Sequence, residues 1–270
     1  MIKRKILNLN FLALLLMSTS SIADNQFNVS VGYEKTSGDY GLGNTTDITT
    51  VPLVTQYTKD AWRVRLNVPF INVTGDGSVT PGSNGAVSNS SMLNTIMGSG
   101  SSSTSSTVVE TQSGLGDILS SISYAFMPQN SDMFYELTAQ AKWGTASVSK
   151  GLGTGENDYS INLYSMYQKH DVKPFISLGY LLIGDTNVTD YNDVFFTRAG
   201  FMYSVNPQTS FSVAYDYQQA TTETTDEGQS VSLSAYRSFS KQWSGNVYVL
   251  GGLTDSVADS GIGFSLIRSF

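Results

Sequence analysis

Cysteine is absent from the 270-residue chain. That excludes disulfides, thiolate metal sites and a lipid-modified N-terminal cysteine. Histidine occurs once, as His170. One histidine and no cysteine serve a zinc centre poorly, and a serine hydrolase would have to recruit that single imidazole as its base. Cations are scarce as well, with 15 Lys and Arg against 22 Asp and Glu. A net acidic chain lacks the basic face that phosphate binding needs, so nucleic acid is not an expected partner. Beyond residue 23 no apolar stretch approaches the ~18 residues of a spanning helix. This excludes a helical membrane bundle but not a membrane protein that crosses with strands. A mean hydropathy of -0.10 fits such a protein, because its apolar residues alternate with polar ones.

The first residues have the form of a secretory signal. Lys3, Arg4 and Lys5 give a positive start, Ile6 to Met17 an apolar run, and Ser21-Ile22-Ala23 small residues at the cleavage positions. Residues 1–23 are expected to be removed, leaving a mature chain that starts at Asp24. The other reading, a membrane anchor, asks about twelve largely apolar residues to span a bilayer, which is too few. Cleavage takes three basic residues away, leaving 12 against 22 acidic ones and a net charge of -10.

What the chain has in abundance is period-two alternation. Trp62, Val64, Leu66, Val68 and Phe70 share one strand face, with Arg63, Arg65, Asn67 and Pro69 on the other. Met133, Tyr135, Leu137, Ala139, Ala141 and Trp143 face away from Glu136, Thr138, Gln140 and Lys142. Twelve segments read this way: residues 25–34, 47–58, 61–73, 115–127, 132–144, 158–168, 172–183, 193–204, 209–218, 229–239, 243–253 and 261–270. Most exceed the usual soluble strand of about five or six residues and suit a tilted strand that crosses a membrane.

Four segments carry aromatics eight residues apart on the apolar face: Trp62 and Phe70, Tyr135 and Trp143, Tyr159 and Tyr167, Phe195 and Tyr203. Eight residues at ~3.3 Å each, tilted by roughly 40°, rise about 20 Å, near the height of an outer-membrane apolar band with its aromatic girdles. Connections alternate in length. Short turns fall around residues 59–60, 128–131, 169–171, 205–208 and 240–242. Longer polar ones occupy 35–46, 74–114, 145–157, 184–192, 219–228 and 254–260. This is the pattern of periplasmic turns and extracellular loops on an antiparallel all-β barrel. An even strand count returns both termini to the periplasm. The last segment ends on Phe270, an aromatic terminus of the kind that outer-membrane barrels present to their assembly machinery. Arg237 and Arg268, on apolar faces, lie near the periplasmic boundary, where they can snorkel.

Residues 24–270 thus read as one barrel, with residues 74–114 as its longest external loop. Within that loop, residues 98–106 are almost all Ser, Gly and Thr and will not order themselves. Met92, Leu93, Ile96 and Met97 have helix-like spacing and could form a short helix in the barrel mouth. A mobile surface loop is the slightly favoured reading. Gly151-Leu152-Gly153-Thr154-Gly155 precedes a strand rather than opening a helix, so it lacks the mechanism of a phosphate-binding loop and reads as a flexible loop tip. Asp76, Asp185, Asp190 and Asp193 read as solvated loop carboxylates. His170 falls in a periplasmic turn with no serine set up beside it.

The lumen is the candidate site. Alternation points Arg63, Arg65, Asn67, Glu136, Gln140, Lys142, Asn162, Tyr164, Arg198, Asp216 and Tyr236 inward. Charges of both signs there can line a water path and select solutes, or pair across a narrow lumen and close it. Twelve strands lie between filled eight-stranded barrels and open sixteen-stranded porins. Phe175, Gly179, Leu181 and Ile183 make one inward wall partly apolar, suited to a hydrophobic solute or to packing against residues 74–114.

Ser113-Gly114-Leu115-Gly116-Asp117-Ile118, opening a strand after a long loop, resembles the G-L-G-D motif of the outer-membrane family named for the meta pathway of phenol degradation. Val64-Arg65-Leu66-Asn67-Val68-Pro69-Phe70 is similar to that family's preceding strand, and Gly153-Thr154-Gly155 resembles its later motif. The Ser-rich insertion within 74–114 departs from the pattern. The resemblance implies an outer-membrane barrel that passes aromatic or other hydrophobic compounds.

The expectation is therefore a non-enzymatic channel for passive uptake of small molecules, aromatic or hydrophobic ones included. No catalytic residues, cofactor or metal are expected. Its partners would be outer-membrane lipid, the assembly machinery and the solute. A closed barrel that presents its loops is the competing reading, and an outer-membrane enzyme the weakest.

Overall fold

The alternation becomes strand at every segment where it was read. The computed structural model describes residues 25–83, 85–88, 109–187, 189–223 and 225–270. The signal segment, the helix-like Met92 to Met97 stretch and residues 98–106 lie outside the described residues. Chain order gives β1 (Gln26–Gly38), β2 (Thr46–Lys59), β3 (Trp62–Gly75), β4 (Val79–Gly82), β5 (Gly85–Ser88), β6 (Glu110–Leu115), β7 (Ile118–Phe126) and β8 (Met133–Trp143). It continues with β9 (Asp158–Tyr167), β10 (Val172–Leu182), β11 (Val194–Asn206), β12 (Thr209–Gln218), β13 (Gly228–Ser238), β14 (Trp243–Gly252) and β15 (Ser260–Ser269). β4 and β5 form a separate hairpin. The others pair antiparallel in sequence order, and β1 pairs with β15 to close the ring. With β6 and β7 as two halves of one staff, the result is a closed twelve-stranded barrel.

The break between β6 and β7 is a bulge. Asn67 pairs with Leu119, and Phe70 pairs with Leu115. Two residues of β3 therefore oppose three of the facing strand, Gly116, Asp117 and Ile118. An extra residue reverses which parity faces inward and re-aims the side chain at the break. Gly116 carries this turn because a β-carbon there would run into Ile71 and Pro69. Its N–H donates to the Pro69 carbonyl at 2.9 Å.

Outward faces are apolar and aromatic. Trp62 and Tyr124 are direct cross-strand partners, with ring centroids 4.9 Å apart. Phe126 and Tyr135 repeat the arrangement at 5.0 Å. Trp143 meets Tyr159 at 6.5 Å near the loop end. Cross-strand aromatic pairs of this kind stiffen a sheet face. Arg268 does not stand alone on its apolar face, because its guanidinium lies over Trp243 (5.4 Å) and Phe270 (4.8 Å).

The loop end of the barrel is packed rather than open. Inward residues Ile48, Ile71 and Val73 meet Tyr40, Val79, Ala146, Leu152 and Ala258, which arrive from four different connections, in one buried cluster. Leu152 is 1% exposed and Tyr40 1%. Burying a large apolar side chain contributes about 1.5–3 kcal/mol, so the plug is held by more than loop closure. This corrects two expectations. The Gly151–Gly155 segment is not a flexible tip: Gly151 (φ 65°) ends a one-turn 3-10 helix over Val148–Lys150 and delivers Leu152 into the plug. The start of the 74–114 loop is not surface-borne either, since Ser78, Val79 and Thr80 are buried in the mouth. Two of the loop carboxylates also brace their own loops. Asp76 accepts from the Ser78 N–H at 2.9 Å, and Asp185 from the Tyr191 N–H at 2.7 Å.

Candidate functional site

Below the plug lies a cavity of about 300 Å³, lined by β1–β3, β7–β11, β14, β15 and the tip of the β4–β5 hairpin. Inward positions of β3 set its character. From the turn end to the loop end they run Arg63, Arg65, Asn67, Pro69, Ile71 and Val73, from cationic to apolar. β2 answers with Gln56, Val54, Pro52 and Ile48. Pro52 and Pro69 are direct partners on this wall. Prolines cost ladder hydrogen bonds, and the β1 residue opposite Pro52 is Gly32, whose missing side chain leaves room for the ring.

Three charge groups occupy the lumen. Near the turn end, Arg63 donates to Glu136 at 2.6 Å, and Arg65 stands beside this pair. Across the barrel, Arg198 lies 3.3 Å from Asp216, its direct register partner, and donates to Ser232 at 2.9 Å. At the plug, Lys142 lies 3.0 Å from Asp158 and 3.5 Å from Asp117 and donates to Thr154 at 3.0 Å. All three charged residues there are buried, Lys142 to 2% exposure. Charges so buried are tolerable only when paired and hydrogen-bonded, which these are. Asp117 also accepts from the Ala146 N–H (2.8 Å), and Asp158 from the Gly184 N–H (3.1 Å). Ser83, at the tip of the β4–β5 hairpin, donates to Asp158. The network ties two loops and the hairpin to the barrel wall.

Arg63, Arg65, Asn67, Glu136, Gln140, Lys142, Asn162, Tyr164 and Arg198 line the cavity together. Asp216 is buried behind Arg198. Tyr236 pairs with Ser210 and Asn246 nearer the turn end and does not line the cavity. His170 sits in the β9–β10 turn with its ring 6.0 Å from that of Tyr167. The inward set read from the sequence omits Glu34, Asp117, Asp158 and Tyr248. Glu34 and Tyr248 stand side by side on the cavity wall, and their strand parity was signal enough to find them. Asp117 needed knowledge of the bulge.

The three sequence motifs converge on the plug. Gly116-Asp117 supplies the bulge and the carboxylate, Pro69 accepts the Gly116 N–H, and Thr154 accepts from Lys142. Gly153 has no side chain because a β-carbon there would sit 2.8 Å from the Asp117 carboxylate.

A family model described as "Putative MetA-pathway of phenol degradation" matches residues 19–259. No curated protein compared with the chain matches it. An outer membrane channel from Pseudomonas putida F1, known as a crystal structure, superposes with a TM-score of 0.64 at 14% identity, covering 93% of this chain and 97% of that one. The KdgM porin superposes at 0.49 with 11% identity, over 90% and 99% of the two chains. The transport unit of the autotransporter AIDA-I from Escherichia coli reaches 0.49 with 12% identity, over 95% and 93%.

Proposed function

Because the chain belongs to the family of the MetA pathway of phenol degradation and folds as an outer-membrane-type barrel, we propose that it is an outer-membrane channel for passive uptake of small molecules with aromatic or other apolar bodies. The single observation that carries this reading is the cavity inside a closed barrel, lined by charged side chains at both ends and by an apolar β2–β3 wall between them. Arg63 and Glu136, unlike the Lys142 network, pair within the barrel wall rather than with the plug, and burying them costs desolvation. Arg63, Arg65, Glu136, Lys142, Arg198 and Asp216 would set selectivity. The β4–β5 hairpin and its loop would gate access from outside, with Ser83 on Asp158 as the latch. Export by a cleaved signal, insertion with the assembly machinery through Phe270, and lack of enzymatic activity belong to the same reading.

The test is planar-bilayer conductance of the refolded mature protein, with and without deletion of residues 80–108. Steps in the intact protein that grow on deletion support a gated pore. Silence from both proteins would overturn the channel reading and favour the second one, a closed barrel that presents its loops, for which the apolar plug is the supporting observation.

A further inference from the structure

Among the described residues, Arg65 is the cavity-lining cation without a partner. Arg63 has Glu136, Lys142 has Asp117 and Asp158, and Arg198 has Asp216. Among the described residues no group accepts a hydrogen bond from Arg65 or lies within ion-pair distance of it. Its electrostatic neighbours are Arg63 and Glu136, so the turn end of the cavity holds two guanidinium groups and one carboxylate. One further donor beside it is unsatisfied: the buried Nε of Arg63 has no hydrogen-bond partner among the described residues. A charge without a partner in a confined lumen is costly. A planar guanidinium is the donor best matched to a carboxylate, which it can hold with two parallel hydrogen bonds.

The wall above Arg65 says what the rest of the ligand is. Asn67 is followed by Pro69 and Ile71 on β3, faced by Val54, Pro52 and Ile48 on β2 and by Leu119 on β7. The cavity thus has a cationic floor and an apolar wall on one side. Its volume of about 300 Å³ is the size that holds one small organic molecule. Glu34 lines the same cavity, but its neighbour is Tyr248, away from the arginine pair.

From this arrangement we infer that the lumen holds a binding site for a small organic monocarboxylate, its carboxylate on Arg65 and its apolar body against the β2–β3 wall. The inference rests on the uptake reading and narrows its solutes to amphiphilic acids. One local positive charge in excess matches one negative charge. An uncharged aromatic would leave Arg65 unpaired, and inorganic phosphate would leave the apolar wall wet.

The test is calorimetric titration of the refolded protein in detergent micelles with benzoate, benzyl alcohol and inorganic phosphate. Benzoate should bind saturably and more tightly than either of the others. Arg65→Gln should weaken it by about tenfold or more, the size expected for one charge-assisted contact, without weakening benzyl alcohol. Glu136→Gln is the second variant. It frees Arg63 from its carboxylate, so benzoate should bind more tightly. Benzoate binding that is absent, that is matched by benzyl alcohol or phosphate, or that is indifferent to both substitutions would overturn the inference. Titration does not require conduction, so the two readings fail separately. A barrel that binds benzoate at Arg65 but never conducts overturns the channel alone, and one that conducts without binding benzoate overturns the site alone.

Discussion

The ammonium group of Lys142 lies 3.0 Å from the carboxylate of Asp158, the first residue of the neighbouring strand, and both side chains are withdrawn from solvent. With Asp117 at 3.5 Å, this pair joins the barrel wall to the plug that fills its outer mouth. Removing one partner of such a group leaves the others as uncompensated buried charges, which costs about 3–5 kcal/mol. Lys142→Met is therefore expected to lower the unfolding midpoint of the refolded barrel in denaturant by an amount of that order. It should also release the β4–β5 hairpin, seen as more frequent opening steps in single-channel recordings. An unchanged midpoint would show that the network does not hold the plug.

Gly116 tests the bulge. A side chain there meets Ile71 and Pro69, and overpacking of this kind costs about 1–3 kcal/mol. Gly116→Val should destabilise the barrel within that range and swing Asp117 away from Lys142, so the loop over residues 144–157 loses hydrogen-exchange protection. Protection equal to that of the unaltered protein would mean that the bulge is not what aims Asp117.

Acidity should act on the loop end through Asp259. Burial, then the negative charges of Asp39 and Asp255, raises its carboxyl above the ordinary carboxylate value. A raised carboxyl binds its proton more tightly in the folded barrel than in the unfolded chain. Its contribution to stability is present below the ordinary carboxylate range and is lost as pH rises through the raised folded value. Residues 254–259 should accordingly be better protected from exchange at about pH 4 than at about pH 7. Asp259→Asn should remove the difference, and a difference that survives the substitution would assign it to another group.

Phe270 tests assembly. Its N–H donates to the Phe27 carbonyl at 2.9 Å, and its ring lies 6.0 Å from that of Phe27 and under the Arg268 guanidinium. An aromatic pair of this kind contributes about 1 kcal/mol, so Phe270→Ala should refold in detergent with a modest loss of stability. In cells its yield of heat-modifiable, membrane-inserted barrel should fall much further, because the last strand is also the proposed assembly signal. Equal losses in both settings would leave no separate role in assembly.

Strand positions were legible because alternation is a local property: each of the twelve segments shows its own two faces. The inward set on β3 and β8 followed from parity alone, from Arg63 and Arg65 to Lys142. What parity misses is any residue whose neighbours change the count. Asp117 sits one residue past the parity reversal at Gly116, so its partnership with Lys142 could not be read from spacing. Leu152, flanked by glycines, has the composition of a loop tip, and only the shape of the mouth shows that it is buried. Alternation ends the β1 segment at Glu34, whereas pairing with β15 and β2 carries the strand to Gly38. Hydrogen bonds to two neighbours extend a strand whose own sequence has become polar.

The closure of β1 on β15, from Asn28 opposite Ser269 to Ser37 opposite Ser260, has a topological consequence. The wall has no free edge, so no stretch of it can come away on its own. A protease that severed the backbone at any external loop would leave two fragments still zipped to each other along both flanks. Chain continuity and integrity of the wall are separate properties here. A nicked barrel should migrate as one folded body until it is heated, and only then fall into its pieces.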